Sequence, residues 1–291
     1  MTEVILTLNS LKKKLKDFQN CRINFIPTMG NLHFGHESLV RKAIKKSGIS
    51  IVSIFINPLQ FTESQDFKRY PKSLEADLEL LTSLGVDYIL LPEKFFLKSD
   101  LFNTNVSVGN ISNLLCGKDR TGHFDGVATI IVKFLNILRP ESIFLGEKDF
   151  QQVLVVKKLI KDLSYSTRVI THKIVREKDG LAYSSRNSKI SPPNREKANK
   201  IYQSLKLIQT EIKKNQFTNS EINIYKKKLI KAGFKKVNYL VIRKEKDLSI
   251  LGVEPAQCRI FISVMMDGVR LIDNVKLGKL VCKRNVFLSM D

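Results

Sequence analysis

A chain of 291 residues, 43% hydrophobic and 26% charged, can bury a substantial core and is long enough for two domains. Its 49 Lys and Arg against 28 Asp and Glu give a formal net charge of +21, which alone would suit a nucleic-acid partner. The lysines are spread along predicted helices (Lys12 to Lys16, Lys45–Lys46, Lys157–Lys158, Lys226 to Lys228) with no RNA- or DNA-binding signature. The charge is therefore read as compositional bias with a field that steers anions inward, not as a nucleic-acid interface.

No stretch approaches the ~18 consecutive apolar residues of a membrane helix, and the N-terminus lacks a positive-then-apolar signal layout, so a cytoplasmic chain with no membrane association is expected. Cys21, Cys116, Cys258 and Cys282 form no C-x-x-C pair, which predicts reduced thiols and no cysteine metal site.

In chain order, Leu8 to Phe18 predicts a helix without chemistry, and Arg22 to Pro27 a short strand ended by proline and by the turn residues Gly30 and Asn31. From about Gly35 the period becomes helical, with Leu39, Val40, Ala43 and Ile44 on one face. His33 and His36 straddle the first turn of that helix, three residues apart and on one side of it. Free N–H groups and the helix dipole there favour an anion, and both imidazoles can face one phosphate. Standing alone, the pair would more readily suit surface or core histidines, or a fragment of a metal site.

Ile49 to Ile56 reads as a buried parallel strand that ends in Asn57-Pro58-Leu59-Gln60-Phe61. Strand, helix and strand imply a βαβ unit, whose ligands lie beyond the carboxyl ends of the strands, where Gln60 falls. Residues 62–72 read as a polar connection. Ser73 is expected to cap a helix running to Leu84, with Asp77 solvated on its surface, and Val86 to Leu91 to form the next strand. Residues 92–115 read as irregular. The glycine-rich run Gly117 to Gly126 reads as a flap from which Arg120 or His123 could meet phosphates, followed by a core helix from Val127 to Leu138.

A strand from Ser142 to Leu145 delivers Gly146-Glu147-Lys148-Asp149-Phe150-Gln151-Gln152 to a helix start. Helix Val153 to Leu163 and strand Thr167 to Val175 follow, then an Asp179-Gly180 hairpin turn. Ser184, Ser185 and Arg186 beyond it combine hydroxyl donors with a guanidinium, a set suited to phosphate, although serine-rich turns are common. Ser191-Pro192-Pro193-Asn194 marks a boundary. Beyond it, helices from Arg195 to Lys213 and Asn219 to Ala232 precede strands at Lys236 to Arg243, Cys258 to Met265 and Val269 to Ile272. The fold class expected is α/β: a Rossmann-like parallel-sheet nucleotide-binding domain over residues 1–187, with a smaller C-terminal α/β lid domain over residues 188–291.

The string PTMGNLHFGH carries the His-x-Gly-His signature of the nucleotidylyltransferase superfamily, and with NPLQF, GEKDFQQ, SSRN and RLIDN in order it resembles the pantoate–β-alanine ligases. Departures are Thr121 where the family usually has proline, Tyr183 where smaller apolar residues are usual, and Lys244 where an acid is often seen. The resemblance implies condensation of pantoate with β-alanine at the expense of ATP, giving pantothenate, AMP and pyrophosphate through a pantoyl-adenylate. It implies ATP as substrate, Mg2+ as cofactor with Asp77 near the metal, and a homodimer. Nucleotide contacts carry over to Met29, Gly30, Asn31, Leu32, His33, Phe34, Gly35 and His36 on the first loop, and to Gly146, Glu147, Lys148 and Asp149 on the second. Val175, Tyr183, Ser184, Ser185 and Arg186 complete that set, and Asn57, Gln60 and Gln152 carry over as pantoate contacts. His33, His36, Lys148, Ser184, Ser185 and Arg186 are the implied catalytic set. Two rivals stay open: another transferase of the superfamily, against which the neutral amides of Gln60 and Gln152 argue, and a basic nucleic-acid-binding protein.

Overall fold

The computed structural model describes residues 2–18, 21–62, 64–92, 102–214, 219–250 and 255–278. They form two compact units: Met1–Asn113 with Arg120–Val175, and Leu114–Asp119 with Arg176–Asp291. The sequence reading divides the chain after Asn187, whereas this division falls between Val175 and Arg176 and counts a short earlier segment with the second unit.

The first unit is built on a six-stranded parallel sheet in the order β1-β4-β3-β2-β5-β6. Its elements begin with β1 (Glu3–Ile5), α1 (Leu8–Asp17), β2 (Ile23–Thr28), α2 (Phe34–Ile44) and β3 (Ile49–Ile54). After α3 (Ser64–Lys68) and α4 (Leu74–Ser83) comes β4 (Tyr88–Leu90), then α5 (Gly109–Ser112). The short α6 (Leu115–Asp119) belongs to the second unit, and α7 (His123–Leu138), β5 (Ser142–Gly146), α8 (Phe150–Asp162) and β6 (Arg168–His172) finish the first. Phe25, Ile26, Ile51, Val52, Ile89, Leu90, Ile143 and Phe144 are all buried, alternate residues included. A parallel sheet covered on both faces requires this, which is why its strands read as apolar runs without alternation.

Several local expectations change. The polar connection at residues 62–72 contains the helix α3, and α7 starts at His123, four residues ahead of its expected start at Val127, so that with α6 most of the supposed flap is helical. Ser73 occupies the N-cap position of α4 but makes no side-chain cap bond.

The second unit carries an antiparallel sheet in the order β7-β8-β9, formed by β7 (Lys236–Lys244), β8 (Cys258–Met266) and β9 (Val269–Lys276). Asp267 and Gly268, both at positive φ, close the β8–β9 hairpin as a two-residue turn. Helices α9 (Pro192–Ala198), α10 (Lys200–Lys213) and α11 (Asn219–Lys231) accompany the sheet. The single helix expected from Arg195 to Lys213 is thus two, broken at Asn199, with prolines seated in the first turn of α9 where a missing N–H costs nothing. Leu205, Ile208 and Ile212 of α10 join Leu240, Ile260, Ile262 and Val264 of the sheet in one buried cluster.

Candidate functional site

The strand order reverses at β2: β3 and β4 lie to one side of it and β5 and β6 to the other. In open parallel sheets the crevice beyond the carboxyl ends of the strands at such a point is the ligand site. Here it receives the loop from β2 to α2 and the start of the segment after β5, which together bring His33, His36, Lys148 and Asp149 into mutual electrostatic range.

The β2–α2 loop is folded around one carboxylate. Asp77, from the first turn of α4, accepts the Asn31 N–H on Oδ2 at 2.7 Å and the Leu32 N–H on Oδ1 at 2.8 Å. Ser73 Oγ lies 3.1 Å from Asp77 Oδ1 and 3.2 Å from Asn31 Oδ1. Gly30 and Asn31 both take positive φ to turn these amides inward. A Cβ on Gly30 would sit 2.9 Å from Asp77 Oδ2 and 3.0 Å from Ile54 Cγ2, so only glycine lets loop and carboxylate approach. Asp77, expected on a solvated helix face, is 3% exposed.

His33 then caps α2, a position where Ser, Thr, Asp or Asn is usual. Its Nδ1 accepts the Gly35 N–H at 3.1 Å, and His36 Nδ1 faces the His33 N–H at 3.3 Å. The N–H groups of His36 and Glu37 go to the His33 carbonyl. The expectation of free amides at this helix start is therefore corrected: the N–H groups of Gly35, His36 and Glu37 are spent within the turn. With each Nδ1 accepting, each neutral ring carries its proton on Nε2, and the two rings stack with centroids 4.0 Å apart. Burial, followed by the neighbouring His36 and Lys148, lowers the His33 pKa to about 2. Burial and then Lys148 lower that of His36 to about 4, against a smaller opposing pull from Asp149. Both rings are neutral at pH 7 and can act as directional N–H donors to an anion, with the charge supplied by Lys148.

Beyond β3, Asn57 Oδ1 accepts the Leu59 N–H at 3.1 Å and so starts the single 3-10 turn Pro58–Gln60. The Gln60 carboxamide is held at both ends, Oε1 by Asn57 Nδ2 at 3.1 Å and Nε2 against Met29 Sδ at 2.9 Å. This joins the expected pantoate glutamine to the histidine loop. Gln152 lies in the first turn of α8, after Gly146 and the 3-10 turn Glu147–Asp149. Glu147 accepts from Thr171 Oγ1 on β6 at 3.0 Å. Arg120 and His123, read from the sequence as possible phosphate groups, are turned instead onto the backbone carbonyl of Gln60. Among the described residues no group of three or more His, Cys, Asp and Glu could hold a metal ion. Asp77 serves two amides and faces a hydroxyl, the contacts of a loop anchor.

Val175 ends the first unit, while Tyr183, Ser184, Ser185 and Arg186 belong to the second. There Ser184 Oγ accepts the Arg186 N–H at 3.2 Å. Asn187 Nδ2 donates to Glu177 Oε1 at 2.7 Å and to the Ala182 carbonyl at 3.0 Å. Arg195 bridges Glu177 and Asp179 at 2.6 Å each and so braces the loop from behind. Asp179 is held below the usual carboxylate range chiefly by that hydrogen bond from Arg195.

A crevice at the reversal of a parallel sheet, furnished with stacked neutral imidazoles and a lysine, defines an α/β nucleotide-binding enzyme of the His-x-Gly-His kind. The family model described as "Pantoate-beta-alanine ligase" matches residues 3–276, and the chain belongs to that family. It is 39% identical to a pantothenate synthetase of Caldicellulosiruptor bescii over 94% of this chain and 98% of the relative. It is 41% identical to that of Aquifex aeolicus over 92% and 98%. Among solved structures, pantothenate synthetase from Thermus thermophilus superposes with a TM-score of 0.87 at 33% identity, covering 95% of this chain and 99% of that one. The pantoate-beta-alanine ligase of Francisella tularensis, solved with beta-gamma ATP and beta-alanine, gives 0.81 at 34% identity over 95% and 98%.

Proposed function

We propose that this chain condenses pantoate with β-alanine at the expense of ATP, releasing pyrophosphate and then AMP by way of a pantoyl-adenylate. The observation that carries the reading is the pair of Nε2–H donors of His33 and His36 beside Lys148, one loop away from the doubly held carboxamide of Gln60. Family membership supplies the substrates.

In the first step a carboxylate oxygen of pantoate attacks the α-phosphorus, and the bond to the bridging oxygen of pyrophosphate breaks. A carboxylate at neutral pH carries no proton to remove, so no catalytic base is needed. The work is alignment and stabilisation of the charge that moves onto the α-phosphate and the departing pyrophosphate. Neutral imidazoles suit this work because a fixed N–H needs no reorganisation as charge develops, and Lys148 adds a point charge. The carboxamides of Gln60 and Gln152 and the amide of Asn57 match the hydroxyls and carboxylate of a hydroxy acid better than a phosphate. In the second step the neutral amine of β-alanine attacks the acyl carbon of the mixed anhydride, AMP departs, and the amine loses its proton to solvent.

The loop of Ser184, Ser185 and Arg186 is read as a further group of phosphate donors; its support is the resemblance and the bracing by Asn187, Glu177 and Arg195. Asp149 is read as a ribose hydroxyl acceptor, and Gly146 as the place of close backbone approach. Magnesium is read as arriving with ATP, on the phosphates, as the resemblance implies and as a small hard cation that keeps several of its waters commonly does. A cytoplasmic homodimer rests on the resemblance alone; sedimentation of the purified chain tests its assembly.

The deciding experiment measures pyrophosphate release from magnesium ATP and pantoate with and without β-alanine. Release with pantoate, then β-alanine-dependent formation of pantothenate and AMP, is expected. A folded protein that releases pyrophosphate with no combination of these, or only with a phosphorylated acceptor, overturns the substrate assignment.

A further inference from the structure

Gln60 sits in one turn of 3-10 helix, a structure too short to hold its own register. What holds it comes from the start of α7 and the turn before it, sixty or more residues on. His123 Nδ1 lies 2.7 Å from the Gln60 carbonyl oxygen, and Arg120 Nη2 donates to the same oxygen at 3.1 Å. Arg120 Nη1 lies 3.3 Å from His123 Nε2. A guanidinium has only protons to offer, so Nε2 is the acceptor and the imidazole proton sits on Nδ1, aimed at Gln60. The triangle closes in one tautomer of neutral His123 and in no other protonation state.

Two further contacts tie the same pair of elements. Asn57 Nδ2, which holds the Gln60 Oε1, also donates to the Gly126 carbonyl at 3.0 Å. A Cβ on Gly126 would lie 2.2 Å from the Leu59 carbonyl oxygen, so the turn rests directly on the helix with no side chain between them. Main chain and carboxamide of Gln60 are thus both located by α7 through buried groups: His123 is 8% exposed and Asn57 2% exposed. A turn needed only to connect β3 to α3 could satisfy its carbonyl with water, and would not need an arginine and an imidazole converging on one oxygen.

We infer that Arg120 and His123 are positioning residues that set the Gln60 carboxamide for the hydroxy-acid substrate, an inference that rests on the reading of Gln60 as its ligand. They act through Gln60 and touch neither substrate nor reacting atoms. A ligand group displaced by about 1 Å can cost about 10²-fold in rate, so a loosened turn is expressed in the efficiency with that substrate and not in ATP binding.

The test is steady-state kinetics with pantoate and ATP varied separately, in Gln60→Ala, His123→Ala, His123→Asn and Arg120→Ala, each with its thermal midpoint. Gln60→Ala is expected to lower kcat/KM for pantoate by about 10²-fold with the KM for ATP unchanged. His123→Ala and Arg120→Ala should each give a pantoate-selective loss of about tenfold, the scale of one lost hydrogen bond. His123→Asn, whose amide N–H takes the place of Nδ1–H, should recover most of it. A rise in the KM for ATP in the Arg120 or His123 variants marks them as phosphate ligands and overturns the inference. Equal losses for both substrates, tracking the thermal midpoint and not rescued by asparagine, mark a purely structural role and overturn it too. If Gln60→Ala is impaired for pantoate while Arg120→Ala and His123→Ala are not, this inference fails alone. If Gln60→Ala itself is unimpaired, the ligand reading fails and takes the inference with it. Should His123→Ala not fold, Arg120→Lys, which keeps the charge but not the fork, carries the same comparison.

Discussion

The loop from β2 to α2 and the loop from Tyr183 to Asn187 are both read as phosphate-facing, yet they are stabilised in opposite ways. The first is tied by a single buried carboxylate to two main-chain amides, and its functional rings are neutral. The second is braced by side-chain ion pairs, with Arg195, Glu177 and Asp179 each about a quarter to a third exposed. The first arrangement is insensitive to salt and intolerant of any change in volume; the second is screened by salt and degrades gradually. One loop is thus a rigid template and the other a charge-tuned one, and each substitution below tests one side of that contrast.

The largest effect is expected from His36→Ala, which removes one directional donor from the rigid loop. The turnover rate should fall roughly 10²–10³-fold in single-turnover assays of pyrophosphate release. A near wild-type rate in folded protein would take that ring out of the chemistry.

Next comes Asp77→Ala, which leaves the Asn31 and Leu32 amides without their acceptor in a buried position. Denaturant unfolding should show a loss on the order of 3 kcal/mol, the scale for orphaning charge-assisted bonds, and Asp77→Asn should lose less because one oxygen remains. If chelation or added magnesium shifts the unfolding midpoint of the nucleotide-free wild type but not of Asp77→Asn, the carboxylate is a metal ligand and not a loop anchor.

The rigid loop is also tested by pH. The folded pKa values of His33 and His36, about 2 and about 4, lie below the ordinary value of 6.5, so the unfolded chain takes up protons first. Their contribution to stability is present above pH 6.5 and is lost as the pH falls toward 4 and below. The thermal midpoint should therefore drop between pH 6.5 and 4, and a His33→Asn, His36→Gln double variant should flatten that drop. An unchanged slope in the double variant would show that the rings are not held neutral by the fold.

The smallest effect belongs to the charged brace. Glu177→Gln keeps an acceptor for Asn187 but weakens the pair with Arg195. A stability change of about 0.5 kcal/mol is expected, shrinking as salt is raised. A change as large as that of Asp77→Ala, or one indifferent to salt, would erase the contrast between the loops.

Much of this architecture was legible in the order of residues alone. The strand, turn and helix of residues 22–44 announce themselves through Gly30 and the period of Leu39, Val40 and Ala43, because such signals act within one or two turns of chain; Pro27, expected to end the strand, is instead inside it, since β2 runs on to Thr28 paired with β3. The run Ile49 to Ile56 reads as a buried parallel strand and Ser142 to Leu145 as a short strand for the same local reason, and the strands formed are Ile49–Ile54 and Ser142–Gly146. The three-residue edge strand Glu3–Ile5 was not legible: it is too short to show alternation and exists because β4 pairs with it.

Within the site, sequence by itself determined which side chains stand at the carboxyl ends of β2, β3 and β5, since strand lengths and helix starts place them. Tertiary structure alone decided what those side chains do with their hydrogen bonds. Asp77 looked like a solvated helix residue until the β2–α2 loop folded over it, and Arg120 or His123 looked able to meet phosphates until the turn and helix start at 120–123 set both against Gln60. The partners lie 45 to 63 residues apart, and no periodicity or propensity carries information over that separation. It is set by which strand lies next to which, and so by the packing of the whole sheet.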